Sequence, residues 1–532
     1  MKRLYSTFIY LSAALALGLA ACNNNLDETP YSSVSQGSYD YSDPYNAMGI
    51  VYANFRALYG HTTWNIVEET SSDELVMPAN ASGWDDGGIY KRIHQHTWNS
   101  ENPQFLTMWN SIYKGIGDAN RVIQQLDTGI IKIPGGYTKE NFVAEMRVAR
   151  AFYYWILLDG FGDVPLVTKP LDGLATPADY PGKTPRADIY KFVVDEINAA
   201  LPDLTEDISK QTYGRFNKWA AKTLLANVYL NAGVYTGNAA WSDCLAQCND
   251  IIGRYSLEPK YKDIFKTNNE NSTEIIWAIP FDENQAGGFQ PHMYSWHGAL
   301  RAKENMQTTP WGSGSAMGVT QFLNTYDPAD QRLPDTWLIG KQYALTDGSV
   351  INGSDGKPLD FTKDIPDGLY TGESEGYRMN KFEVKVGAKT DLSNDFPFFR
   401  YAQVLMMKAE CLLRAGDADG AAALVTQVRQ RDFADPAKAK VTGAQLLQNS
   451  AYQYGLVKNY KIVDPGNTAP VQYGRFLDEL GWEFAWESYR RRDMIRFGVF
   501  QTKSWLSHAI DADDRTTYPL PQQVVNANPK LQ

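Results

Sequence analysis

The sequence predicts a mainly α fold: a tetratricopeptide-like helical-repeat scaffold with irregular, aromatic-rich loop insertions and a few short strands. Three observations predict it. Eight segments carry apolar residues at helical spacing. Several pair across short turns into units of roughly 34 residues with small residues at the crossing, as in tetratricopeptide repeats. The stretches 60–103 and about 256–396 are instead rich in Gly, Asn, Pro and aromatics. The second is too long for a plain loop in a compact domain, so it must carry structure or function of its own.

The helical segments follow in order. Phe105 to Leu126 sets Trp109, Ile112, Tyr113, Ile116 and Ala119 on one stripe. Phe142 to Leu158 is rich in Ala and aromatics, and Ala187 to Leu201 follows it. Lys218 to Ala232 stops at Gly233, and a second helix starts near Ala239 and runs to Tyr255. Phe398 to Ala415 ends at Gly416, and Asp417 can cap the helix from Ala418 to Phe433. Arg475 to Phe497 reads as one further helix. Between them, Ile275 to Ile279 reads as a short buried strand, and Gly372 to Lys385 as a hairpin.

The N-terminus reads as an address. Lys2 and Arg3 precede an apolar run, Phe8 to Ala21, that is too short to span about 30 Å of hydrocarbon as a helix. Leu19-Ala20-Ala21-Cys22 is similar to a bacterial lipobox, which implies cleavage before Cys22 and lipid on that residue. The expected organisation is a signal peptide over 1–21, a lipidated flexible tether over 22–45 and one domain over 46–532. Asn23 follows Cys22 where inner-membrane lipoproteins carry an Asp, so their retention signal is missing.

Composition excludes several classes. A chain of 532 residues with a net charge of −11 is a poor nucleic-acid binder, because phosphate contacts need a basic surface. Cys244, Cys248 and Cys411 form no CxxC pair and read as small buried hydrophobes. His94-x-His96 could set two ligands on one strand face, but no third ligand is evident, so no metal and no cofactor is expected. No GxSxG, HExxH or P-loop pattern is present.

Four motifs carry a family resemblance. Glu145-x-Arg147-x2-Arg150-Ala151-Phe152-Tyr153-Tyr154 is followed by Gly162-Asp163-Val164-Pro165-Leu166. Asp395-Phe396-Pro397-x2-Arg400-Tyr401-Ala402 leads into Lys408-Ala409-Glu410. The most diagnostic run is Leu477-Asp478-Glu479-x-Gly481-Trp482-Glu483-Phe484, then Glu487, Arg490-Arg491, Asp493 and Ile495-Arg496-Phe497. Tyr518-Pro519-Leu520-Pro521 and Asn526-x-Asn528-Pro529 close the set. In this order they resemble the SusD/RagB family of surface lipoproteins of Bacteroidota. The resemblance implies non-catalytic glycan capture beside a SusC-like TonB-dependent transporter of the outer membrane. Read physically, Glu483, Glu487 and Arg491 would lie on one face of a single helix, beside Arg490, as a structural ion-pair array.

Twelve of the 14 tryptophans sort by context. Trp109, Trp155, Trp219, Trp241, Trp482, Trp486 and Trp505 fall in helical segments and Trp277 in the strand, so these belong to the core. Trp84, Trp296 and Trp311 lie in Gly-rich loops: Gly83-Trp84-Asp85-Asp86-Gly87-Gly88, Ser295-Trp296-His297-Gly298 and Pro310-Trp311-Gly312. An aromatic face suits the apolar C–H face of a pyranose, so these three are candidate glycan platforms. Asp85 and Tyr294 join them as ligand-binding residues, and Trp64 is a weaker candidate. The acidic balance disfavours anionic polysaccharides, and spaced aromatics suit a neutral backbone such as a plant β-glycan. The competing readings are a surface-tethered glycoside hydrolase, for which Asp85-Asp86 would be the carboxylates, and a protein-interaction lid with no glycan contact.

Overall fold

The computed structural model describes residues 40–81, 83–170, 179–312, 314–510 and 513–532. Cys22, the signal segment and most of the tether lie outside them.

The scaffold begins with α1 (Pro44–Asn54), where Asp43 accepts from the amides of Tyr45 and Asn46 and Pro44 opens the first turn. α2 (Pro103–Asp127) buries the expected stripe, with Tyr113 at its margin. α3 (Lys139–Gly160) starts at a Thr138/Asn141 capping box and is buried all round from Val148 onward, as a central helix must be. α4 (Arg186–Ala200), α5 (Lys218–Leu230), α6 (Trp241–Ile251), α7 (Tyr401–Arg414) and α8 (Ala418–Arg429) complete the array. Asp417 caps α8 through the Gly420 amide, as its spacing predicts. α2 packs on α3 and α3 on α4, while α5, α6, α7 and α8 pack in succession. Gly115 lets α2 and α3 approach closely, because any Cβ there would collide with the Tyr153 ring. The three expected core cysteines are buried free thiols.

Between the helical halves runs a two-stranded antiparallel sheet, β1 (Ile275–Ile279) and β2 (Phe396–Arg400), with every residue buried. Trp277 stacks on Phe216 at 4.5 Å and donates its Nε1–H to the Gly214 carbonyl. The expected hairpin at 372–385 is not formed. Tyr370–Thr371 pairs in parallel with Ala79–Asn80, and Arg378–Met379 pairs antiparallel with Trp337–Leu338. Local alternation identified strand-forming residues but not their partners, which lie far along the chain. The stretch 60–103 likewise holds two short helices, Trp64–Thr70 and Ile89–His94. Trp64 is buried and stacked on Phe398, so it offers no platform.

The helix expected over Arg475–Phe497 is two. α9 (Gly474–Phe484) and α10 (Arg490–Arg496) are separated by Trp486 and Ser488 in the left-handed region, at φ 68° and 63°. Non-glycine residues adopt that geometry only where their surroundings enforce it. Here Lys381 Nζ donates to the Ala485 carbonyl at 2.6 Å, and the Ser488 amide donates to Glu69 Oε1 at 2.6 Å. Glu483, Glu487 and Arg491 therefore share no face. Arg400 donates to Glu483, Glu487 and Glu274 at 2.7–2.9 Å, and Lys381 also reaches Glu487. Arg431 and Arg332 complete the shell around Glu483. Arg490 pairs with Asp73 at 2.6 Å, and Arg491 faces Glu68 and Asp159. The array is structural, but its partners come from across the fold.

His94 and His96 do not share a strand face: His94 ends a helix and His96 follows it at φ 56°. Both are buried, and His96 lies among aromatic rings, 4.0 Å from the His508 ring. Burial, reinforced by His508, lowers His94 to about 3. As pH falls below about 6.5 the unfolded chain takes up this proton and the folded protein does not. The His94 contribution then erodes stability by about 1.4 kcal/mol per pH unit. Buried Glu68 and Asp478 shift upward, to about 7 and about 6, and oppose this. A comparison with His94→Gln isolates the term. The stability gap between wild type and variant, from urea melts, should shrink by that slope from pH 6.5 to 4; a constant gap contradicts it.

Candidate functional site

Two glycine-punctuated loops converge beside His61. In the first, the Gly83 amide donates to the Asn80 carbonyl at 2.9 Å and the Asn80 amide to the Trp84 carbonyl at 3.2 Å. Asp86, Gly87 and Gly88 follow with φ of 48°, 64° and 73°, a run of left-handed residues that two glycines make accessible. The turn is clamped from the helix after it: Lys91 pairs with Asp85 at 2.6 Å, and Arg92 donates to the Gly87 carbonyl. Trp84 stacks on Tyr90 at 5.4 Å and stays half-buried.

In the second loop the Trp311 amide donates to the Met293 carbonyl at 2.8 Å, and the Ser315 amide to the Tyr294 carbonyl at 2.9 Å. Gly314, at φ 67°, is required twice over: its backbone conformation favours glycine, and a Cβ would run into the Ser295 carbonyl. This seam carries Trp311 outward with 39 % of its surface exposed. The His61 ring meets Trp311 edge-on at 4.9 Å and lies 6.5 Å from Tyr294.

The result is a cavity of about 280 Å³ lined by His61, Trp84, Tyr294, Trp311, Gly312 and Ser315. Burial lowers the His61 pKa, partly opposed by Asp86. The ring is thus neutral at pH 7, with one nitrogen donating and one accepting. Asn80 donates to the Ser315 hydroxyl at 2.7 Å, which fixes that oxygen. Aromatic faces bordered by a neutral imidazole and a hydroxyl suit a ligand with both C–H faces and hydroxyl groups.

Three of the five expected binding residues, Trp84, Tyr294 and Trp311, are brought together here. Asp85 lies beside them but turns to Lys91 and does not line the cavity. Trp296 is corrected to a core residue. It is 2 % exposed and donates its Nε1–H to the Met379 carbonyl at 2.7 Å. The Gly314 backbone packs on the Ser295–Trp296 backbone, and the indole points inward to Met379. His61 was missed; its one sequence signal is a lone histidine after Gly60 in an irregular stretch.

Residues 227–532 match the SusD family model. The chain belongs to the SusD family. Residues 25–230 match a second model of the group, described as starch-binding and associating with the outer membrane. The starch-binding protein SusD of Bacteroides thetaiotaomicron is 25% identical, across 99% of this chain and 97% of its own. A SusD superfamily protein of Parabacteroides distasonis superposes with a TM-score of 0.69 at 18% identity, covering 92% of this chain and 98% of that one. Surface glycan-binding protein A of Bacteroides thetaiotaomicron, in complex with laminarihexaose, gives 0.65 at 18% identity, covering 91% and 97%. The predicted helical-repeat architecture is the SusD fold. Both Bacteroides thetaiotaomicron proteins are described as starch- or glycan-binding proteins, not hydrolases, so the hydrolase reading is set aside.

Proposed function

We propose that this SusD-family protein captures a neutral oligo- or polysaccharide at the outer membrane and passes it to a SusC-like TonB-dependent transporter. The observation that carries the reading is the meeting of Trp84, Trp311 and Tyr294 with a neutral His61 around one cavity. The indoles take up C–H faces, and the imidazole and Ser315 serve ring hydroxyls. Exposed Asp86, which acts on His61 beside the cleft, disfavours uronates and sulfated sugars. A neutral backbone with exposed apolar faces, such as a plant β-glycan, suits the site. The likeness to a starch-binding and a laminarihexaose-bound protein supports the class. Affinity gels cast with starch, laminarin, xylan, galactomannan, pectin and heparin test it. Retardation is expected on at least one neutral gel and on neither anionic one; retardation on the anionic gels alone overturns it.

Anchoring is proposed through lipid on Cys22. No helix among the described residues is long and apolar enough to cross a membrane, and several acyl chains give stable attachment. Wild type should partition into the detergent phase and Cys22→Ala into the aqueous phase; equal partitioning removes the anchor from the account.

A further inference from the structure

A second cavity, of about 740 Å³, lies on the helical scaffold and shares no residue with the loop cleft. Its size falls inside the range of small-molecule pockets, about 300–1,000 Å³. Tyr45, in the first turn of α1, and Tyr137, just before the α3 cap, line it with Phe142. The Tyr45 ring stands edge-on to Tyr137 at 6.5 Å and to Phe142 at 5.7 Å. Tyr45 is 40 % and Tyr137 46 % exposed, so both rings offer apolar surface to solvent.

The floor is rigid and its charge is spoken for. Buried Glu145 holds Arg215 in an ion pair and accepts from the Tyr52 hydroxyl at 2.9 Å. The Arg215 guanidinium also lies over the Tyr45 ring, 4.9 Å from its centre. Among the described residues Arg215 is the one cation of the lining, against Glu145, Asp203 and Asp207. An anionic ligand therefore finds no free positive charge. Two polar groups remain available: Gln211 and Asp203 are hydrogen-bonded through their backbone atoms, and neither the Gln211 side-chain carboxamide nor the Asp203 carboxylate has a hydrogen-bond partner among the described residues. Exposed phenol rings, a free amide and a free carboxylate around a concave floor match the C–H faces and hydroxyls of a neutral sugar chain.

We propose that this cavity is a second saccharide site, taking a neutral glycan segment independently of the Trp84/Trp311 cleft. It rests on the proposed function for its ligand class only. The geometry has a consequence for long ligands. Tyr45 and His61 belong to one continuous segment, α1 and the turn after it, so chain reach keeps them within about 40 Å. A polysaccharide engaged at both points gains affinity by effective concentration, up to about 100-fold or more.

The test uses full-length protein on affinity gels of starch, laminarin and xylan, with titration of the matching hexasaccharides and a melting curve for each variant. Tyr45→Ala/Tyr137→Ala should lose about 10-fold or more in polymer retardation while hexasaccharide binding at the loop cleft and the melting temperature stay as in wild type. Trp84→Ala/Trp311→Ala should keep a residual retardation that the tyrosine substitutions then abolish. If Tyr45→Ala loosens α1, Gln211→Ala, whose exposed side chain makes no hydrogen bond within the described residues, carries the same comparison. Unchanged polymer retardation in the tyrosine and Gln211 variants overturns the second site alone, as does complete loss in the tryptophan pair. A wild type that no gel retards overturns both this site and the proposed function.

Discussion

Arg400→Ala is expected to cost roughly 3–5 kcal/mol of folding stability, the cost of breaking a buried ion pair from one side. Arg400 is fully buried and bonds Glu274, Glu483 and Glu487 together with the Glu483 carbonyl. Its removal leaves carboxylates in a site that water does not reach, with only Lys381, Arg431 and Arg332 to share them. Against a total stability on the order of 5–15 kcal/mol, that loss is severe. The charge balance is legible in the carboxylates themselves. Burial pushes Glu483 up, but Arg431, Arg400 and Arg332 outweigh it and hold it far below the usual carboxylate range. For Glu479, Arg475, Arg429 and Arg332 overcome burial and bring it down to about 2. A depressed folded value contributes stability above about pH 4.5 that is lost as pH falls toward 2. Urea denaturation at pH 7 measures the effect; a shift under about 1 kcal/mol would mean that the neighbouring cations suffice.

Trp311→Ala and Trp84→Ala are each expected to weaken glycan binding by roughly 1–3 kcal/mol, about 5- to 150-fold. Trp311 projects from a backbone seam that its side chain does not build, so its melting temperature should move little. Trp84 also stacks on Tyr90 and should lose somewhat more stability. Trp296→Ala is the internal control: as a buried indole it should cost roughly 3–5 kcal/mol in folding. Calorimetric titration with whichever neutral glycan the gels select, together with a melting curve, separates the three. Wild-type affinity in a folded Trp311→Ala protein would remove the cleft from the function.

Much of this was legible along the chain. The stripes of α2 and α3, the Asp417 cap, the buried strand Ile275–Ile279 and the core cysteines are local consequences of spacing and side-chain chemistry. The run Leu477 to Phe497 was diagnostic of the family while its geometry was misread. Helical periodicity continued through residues 485–489, and nothing local signals that Trp486 and Ser488 take left-handed conformations enforced by Lys381 and Glu69.

By itself the sequence determined the helical scaffold, the family and the Gly-flanked loops in which the candidate platform aromatics lie. Which of those aromatics face solvent was decided by the tertiary structure. Trp84, Trp296 and Trp311 share one local signature, yet Trp296 ends with its indole bonded to the Met379 carbonyl inside the core, while Trp311, from the loop that Gly314 packs onto the Ser295–Trp296 backbone, stays exposed. His61 enters the site, and Glu487 finds Arg400 and Lys381, by the same kind of long-range meeting. Spacing along a chain encodes which face of an element is apolar. Which distant segment covers that face depends on how the whole core packs, and that information is spread over hundreds of residues.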